Sequence, residues 1–126
     1  MHAVAVLLFV LGAGAGAPLR YAVDTYVQTR HDGTLPLGTL TVNAAGSAIL
    51  GVVTALGAAD VLGDPTRLAL GTAFCGALTT FSTFAFETVR LVEVGALGAA
   101  LGTVALNLSV TIVLAGTAYA ATLALT

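Results

Sequence analysis

Lysine and tryptophan are absent from this chain, and charged residues make up only 8% of it. The four cationic side chains are all arginines, Arg20, Arg30, Arg67 and Arg90, against six acids, for a formal net charge of −2. That balance offers no basic surface to a nucleic-acid backbone. The single cysteine, Cys75, excludes an intrachain disulfide. Within an apolar stretch it reads as a small packing residue rather than a reactive thiol. The two histidines, His2 and His31, fall at the N-terminus and in a loop, away from the serines and the cysteine of the apolar stretches. No His/Cys cluster has metal-ligand spacing. Gly12-x-Gly14-x-Gly16 lies inside an apolar helix rather than at a strand-to-helix turn, so it does not read as a dinucleotide loop. No catalytic constellation remains, and an enzyme is not expected.

What is present is apolar. Hydrophobic residues make up 58% of the chain and the mean hydropathy is +1.03. A soluble domain of 126 residues needs far less apolar surface. The chain reads as an all-α membrane protein, a single domain over residues 1–126. Its four hydrophobic blocks run from Ala3 to Tyr26, Leu37 to Ala59, Arg67 to Leu91 and Val94 to Leu125. Each has about 20 residues or more, the length a helix needs to cross a bilayer. The N-terminal residues, Met1-His2-Ala3-Val4, lack the basic region of a cleaved signal, so the first block is expected to remain as a span.

The third block contains Gly71-Thr72-Ala73-Phe74-Cys75-Gly76-Ala77-Leu78-Thr79-Thr80-Phe81-Ser82-Thr83-Phe84-Ala85-Phe86-Glu87. The middle of this stretch, Gly76 to Thr83, is too polar and too poor in helix formers for an ordinary span. Thr79, Thr80, Ser82 and Thr83 are weak helix residues, and Gly76 is weaker still. A break is expected here, near the bilayer midplane. Backbone groups freed at that depth cannot face lipid, so they must bind an ion, line a wet cavity or meet a partner chain. Broken helices in membranes form ion and substrate sites in this way. Phe81 and Phe84 follow at i, i+3, and Thr80, Thr83, Phe84 and Glu87 are expected along one helix face. Glu87 reads either as an interfacial carboxylate or as a functional intramembrane acid.

Two other spans carry polar stripes. Thr39, Asn43 and Ser47 recur at i, i+4, i+8 in the second, and Thr103, Asn107 and Thr111 do so in the fourth. An amide in hydrocarbon needs a partner. It can be an interhelical hydrogen bond or a donor on a permeation track. The first span has Gly12 and Gly16 as a small-xxx-small pair for close helix approach. Pro18 is expected to kink or end its straight part. Arg20 reads either as an interfacial arginine snorkelling to headgroups or as an anion-attracting group at a pore vestibule. Hydroxyls and amides with few fixed charges can replace part of an ion's hydration shell. An aromatic ring attracts an anion at its edge and a cation at its face. A phenylalanine pair beside hydroxyls therefore suits a small anion, with core or lipid packing as the plainer alternative.

The run Phe74-Cys75-Gly76-Ala77-Leu78-Thr79-Thr80-Phe81-Ser82-Thr83-Phe84 resembles the signature of the small fluoride-channel family, Fluc or CrcB. Gly38-Thr39-Leu40-Thr41-Val42-Asn43-Ala44-Ala45-Gly46-Ser47 resembles its second-helix motif, and Gly14, Gly16, Leu19, Arg20 and Tyr21 its first-helix motif. The likeness covers essentially the whole chain, and the third-span motif is highly specific. The resemblance implies four transmembrane helices with the third broken, in an antiparallel dual-topology dimer with two pores. It implies passive, selective fluoride efflux across the cell membrane, and a structural sodium ion that is not transported, held by backbone carbonyls at the break. By motif position the sodium site falls on Gly76 and Thr79, the fluoride-contacting rings on Phe81 and Phe84, and the pore amide on Asn43. The polar track falls on Thr39, Thr80, Ser82 and Thr83, with Glu87 at its edge and Arg20 near a vestibule. Two departures stand out. Ala77 replaces the usual second glycine, and Asn107 and Thr111 take the places of a fourth-helix tyrosine and serine.

Arg67 would lie on one side of the membrane, with Arg30, Arg90 and Arg20 toward the other. So small a bias fixes orientation weakly. It suits a homodimer of oppositely inserted copies, and a heterodimer with a sister chain is the alternative. Two other functions compete: a proton-coupled small-solute exporter, which should carry an acid deep in an early span, and a non-conducting assembly subunit. The first span has no acid in its apolar core, Asp24 lying near its end.

Overall fold

The computed structural model describes residues 2–126; Met1 and the His2 side chain, part of the N-terminal reading above, lie outside it. The described chain is helical. Helix α1 spans His2–Gln28 and α2 spans Leu37–Ala58. The third span is built in pieces: α3 (Asp64–Arg67), a π-helical segment (Leu68–Cys75), α4 (Gly76–Leu78) and α5 (Phe81–Glu93). Helix α6 spans Leu97–Leu125. Four spans are long and apolar enough to cross a membrane, the third being Asp64–Glu93 taken together.

Several sequence expectations need correcting. Pro18 neither ends α1 nor shortens it; the helix continues ten residues beyond, to Gln28. A proline inside a helix leaves the carbonyl four residues before it, here that of Gly14, without its usual donor, and α1 runs on through that defect. The break is far shorter than Gly76 to Thr83. Gly76 to Leu78 are helical, and only Thr79 (φ −81°, ψ 160°) and Thr80 (φ −146°, ψ 122°) are extended. Thr80 therefore precedes the helix rather than sharing a face with Thr83, Phe84 and Glu87. The fourth span starts at Leu97 instead of Val94, because Gly95 adopts φ +78° and turns the chain. Gly95 N–H bonds to Val92 O (3.0 Å) and Ala96 N–H to Leu91 O (2.8 Å), a Schellman closure of α5. Asp60, at φ 56°, closes α2 in the same manner, with Val61 N–H on Leu56 O at 2.9 Å.

Helix α2 is the central element. It packs most extensively on α6 and also touches α1 and each piece of the third span. Its buried residues include Thr39, Val42, Gly46, Gly51 and Val53. Helix α1 lies against the π-helical segment and α4 through its small residues. A Cβ on Gly12 would stand 2.5 Å from Ala69 O, and one on Gly16 would stand 2.5 Å from Phe74 O and 2.9 Å from the Ala77 methyl. The outward faces, from Val4 to Leu11 on α1 and at Leu101, Leu108 and Ile112 on α6, are exposed apolar residues suited to lipid or to another chain.

This packing makes a paired prediction. Gly16→Val should destabilise the fold by about 1–3 kcal/mol through overpacking. Gly14→Val, with nothing within 4 Å of its Cβ, should leave it within about 0.5 kcal/mol of the parent, as an outward-facing substitution does. Unfolding titrations in detergent micelles measure both.

Candidate functional site

The break in the third span organises the site. The helical ladder ends where Thr79 N–H bonds to Cys75 O at 2.9 Å. Thr80 N–H then turns to the Asn43 side chain, at 2.7 Å from Oδ1, so Gly76 O loses its usual donor. Asn43 Nδ2 donates back to Thr80 O at 3.1 Å. One side chain of α2 thus replaces the helical acceptor of the Thr80 N–H and adds a donor to the Thr80 carbonyl, which as the N-cap carbonyl also takes the first bond of α5. The Thr79 carbonyl accepts from Arg20 Nη1 at 3.3 Å. Arg20 is half-buried, and its charge sits at the carbonyl end of the preceding half-helix, where the helix dipole favours a cation.

The hydroxyls after the break form a cap. Thr80 Oγ1 accepts from Thr83 N–H (3.2 Å) and donates to Thr83 Oγ1 (3.0 Å), with Ser82 Oγ 3.4 Å away. Thr80 is thus the N-cap of α5. Sequence reasoning assigned these hydroxyls to a track and missed the cap, although a threonine just before an apolar run is a capping signal.

The two polar stripes meet. Asn43 Nδ2 donates its second hydrogen to Asn107 Oδ1 at 3.0 Å. Both amide hydrogens of Asn43 are therefore engaged by protein acceptors. Asn107 Nδ2 donates to Thr103 O (3.3 Å), and Thr111 Oγ1 to Asn107 O (2.6 Å). Helices α2 and α6 are one span apart and run in the same direction, so the flanking rungs are Thr39 with Thr103 and Ser47 with Thr111. Thr39 and Thr103 are fully buried, and among the described residues the hydroxyl of each has no hydrogen-bond partner of good geometry, the Thr39 hydroxyl lying near the Glu87 carboxyl. Oε2 of the half-buried Glu87 is buried without a partner as well. Groups of this kind are satisfied by water or an ion in a folded protein. Thr103 was legible as part of a stripe, and nothing in the sequence marked its hydroxyl as unpaired.

An open groove of about 740 Å³ runs along this face of the chain. It brings together Asn43, Gly76, Thr79, Thr80, Phe81, Phe84, Asn107 and Thr111 of the predicted residues. Thr39, Ser82, Thr83, Glu87 and Arg20 do not line it. Phe81 and Phe84 have ring centroids 5.8 Å apart, tilted by 52°. Phe81 is 79% exposed, too much for a core residue, and this excludes packing within the chain as its role.

Residues 7–121 match the family described as CrcB-like protein, Camphor Resistance (CrcB). The chain belongs to the CrcB family. It is 50% identical over 116 residues to a protein of Nocardia farcinica named fluoride-specific ion channel FluC 1, covering 92% of this chain and 77% of that one. It is 51% identical over 90 residues to the FluC 1 of Streptomyces avermitilis (71% of this chain, 73% of the relative). A FluC 1 of Frankia casuarinae is 52% identical over 97 residues, 71% of this chain and 74% of the relative. Family membership and four spans together make this a multi-pass membrane protein.

Asn43→Leu removes the partners of Thr80 N–H and Asn107 Oδ1 and one of the donors to Thr80 O at once. Leaving buried polar groups unpaired costs about 1–3 kcal/mol each. The variant should unfold in micelles at least about 2 kcal/mol more easily than the parent.

Proposed function

We propose that this chain is a fluoride channel that lowers cytoplasmic fluoride by passive efflux, in a dimer of two oppositely inserted copies or of one copy and a sister chain. The family is one of ion channels, not enzymes. The observation that carries the reading is the meeting of the broken third span, the Asn43–Asn107 pair and the Phe81–Phe84 rings in one open groove.

The chemistry of the groove favours a small anion. The first amides of α5 point toward the break, and a helix N-terminus attracts negative charge. Ring edges of Phe81 and Phe84 add a weak positive potential. An arriving fluoride competes with Asn107 Oδ1 for the second amide hydrogen of Asn43. Fluoride is a small, strong hydrogen-bond acceptor, so a neutral hydrogen bond gives way to a stronger charge-assisted one, which offsets part of the hydration the ion sheds. From there Thr80, Ser82 and Thr83 supply hydroxyls, and the unpaired groups of Thr39, Thr103 and Glu87 supply a further polar station behind the groove.

The dimer reading is supported by what one chain leaves open. Phe81 is exposed, and a Cβ on Gly76 would meet nothing within 4 Å. The residues also fit a structural sodium. The carbonyl of Gly76 has lost its helical donor, and the Thr79 carbonyl faces the break beside Arg20. Carbonyl oxygens are the ligands that hard cations take. Two copies about a two-fold axis would supply the carbonyls of Gly76 and Thr79 twice, and a bound cation would offset dipoles that otherwise repel.

Purified protein in liposomes, read with a fluoride electrode, tests the function. Fast release without a proton gradient is expected. Release that requires a proton gradient would point to an exporter, and no release to an assembly subunit. Phe81→Ile should slow release by roughly tenfold or more, the factor given by about 1.4 kcal/mol, while the dimer persists. Gly76→Val should leave the single chain folded and prevent dimerisation. An intact Gly76→Val dimer, seen by cross-linking, would contradict the arrangement.

A further inference from the structure

We infer that Gly46 is a positioning residue for the break: its missing side chain seats the Thr79 methyl and thereby fixes where the Thr79 carbonyl and the Thr80 amide stand. The inference rests on the channel reading above and adds a residue to it. Gly46 is buried in α2, and a Cβ built on it would overlap Cγ2 of Thr79. That methyl cannot simply turn aside. Thr79 Oγ1 donates to Cys75 O at 2.9 Å, and Thr79 N–H bonds to the same carbonyl at 2.9 Å. Rotating the side chain to move the methyl would give up the hydroxyl bond, and shifting the residue would strain the last bond of the ladder.

Gly46 lies three residues after Asn43, so both face the break from one side of α2. Asn43 grips the Thr80 backbone and Gly46 receives the Thr79 methyl. The two extended residues are thus held at two successive points by one helix. A side chain at 46 pushes Thr79 away from α2. The shift moves the Thr79 carbonyl relative to Arg20 (3.3 Å) and draws Thr80 N–H off Asn43 Oδ1 (2.7 Å). The other close-packed glycines act differently. A Cβ on Gly51 would meet the backbone carbonyl of Ala115 on α6, remote from the break. Gly51 therefore serves as a packing control.

The test compares Gly46→Ala, Thr79→Ser, the double variant and Gly51→Ala in liposomes. Release is counted per folded protein, so that a loss of fold alone does not move it. Thr79→Ser deletes the atom that the new Cβ would overlap, leaving ordinary contacts with Cys75 O and the residue-79 Cβ, and keeps the hydroxyl bond to Cys75 O. Gly46→Ala should slow release by about tenfold or more, and the double variant should return to within about threefold of Thr79→Ser. Thr79→Ser should not rescue Gly51→Ala. Should Gly46→Ala fail to fold, recovery of folded protein and of release in the double variant carries the same meaning. Wild-type release with Gly46→Ala, or a double variant as impaired as Gly46→Ala, overturns the inference and leaves the channel reading standing. A parent chain that releases no fluoride overturns that reading and this inference with it.

Discussion

A helix that comes apart inside a bilayer leaves backbone groups that water cannot reach, and every other feature of this chain follows from how they are satisfied. Thr79 and Thr80 are the only extended residues of the third span. Thr79 N–H keeps its ladder bond to Cys75 O, and the groups the break leaves over go to side chains of the two neighbouring helices. Asn43 takes both groups of Thr80, and Arg20 takes the carbonyl of Thr79. The Asn43 amide carries its donor and its acceptor on separate atoms, so one side chain can meet a backbone N–H and a backbone carbonyl together. Placed beside an extended residue, it restores the pairing that the helix gave up. The costly Asn43 amide and the costly break satisfy each other.

The break also gives the site its electrical character. The half-helix ending at Leu78 presents carbonyls, and the one starting at Phe81 presents amides. The two ends favour opposite charges, a cation at the first and an anion at the second. Arg20 already occupies part of the carbonyl end. The amide end opens beside the phenylalanine pair and the asparagine rung. A chain with few fixed charges can thus present separate places for cation and anion within a few residues. The hydroxyls of Thr80, Ser82 and Thr83 steady the amide end by capping α5, and the same groups can serve an ion.

Much of this was legible in the sequence. Four apolar blocks gave the four spans, and the run of threonines after Gly76 located the break to within a few residues. The i, i+4, i+8 stripes marked Asn43 and Asn107 each on one face of its helix, and the structure brings the two together. What escaped was tertiary in origin. Weak helix propensity at Ser82 and Thr83 was overridden once Thr80 capped them into α5. Pro18 sits inside a continuous helix, packed against the third span, where local propensity alone favours a break. The contact of Arg20 with Thr79 joins residues 59 positions apart, which no local pattern encodes. Gly46 looked like one small residue among many until its neighbour proved to be the methyl of Thr79.

The most direct measurement is solid-state NMR of the chain in lipid bilayers, with and without fluoride. Extended-backbone shifts at Thr79 and Thr80 alone, a through-space contact from the Asn43 amide to the Thr80 carbonyl, and fluoride-dependent shifts at Asn43 and Phe81 are expected. Helical shifts at both threonines, or signals from Asn43 and Phe81 that ignore fluoride, would contradict a broken span that holds the anion site.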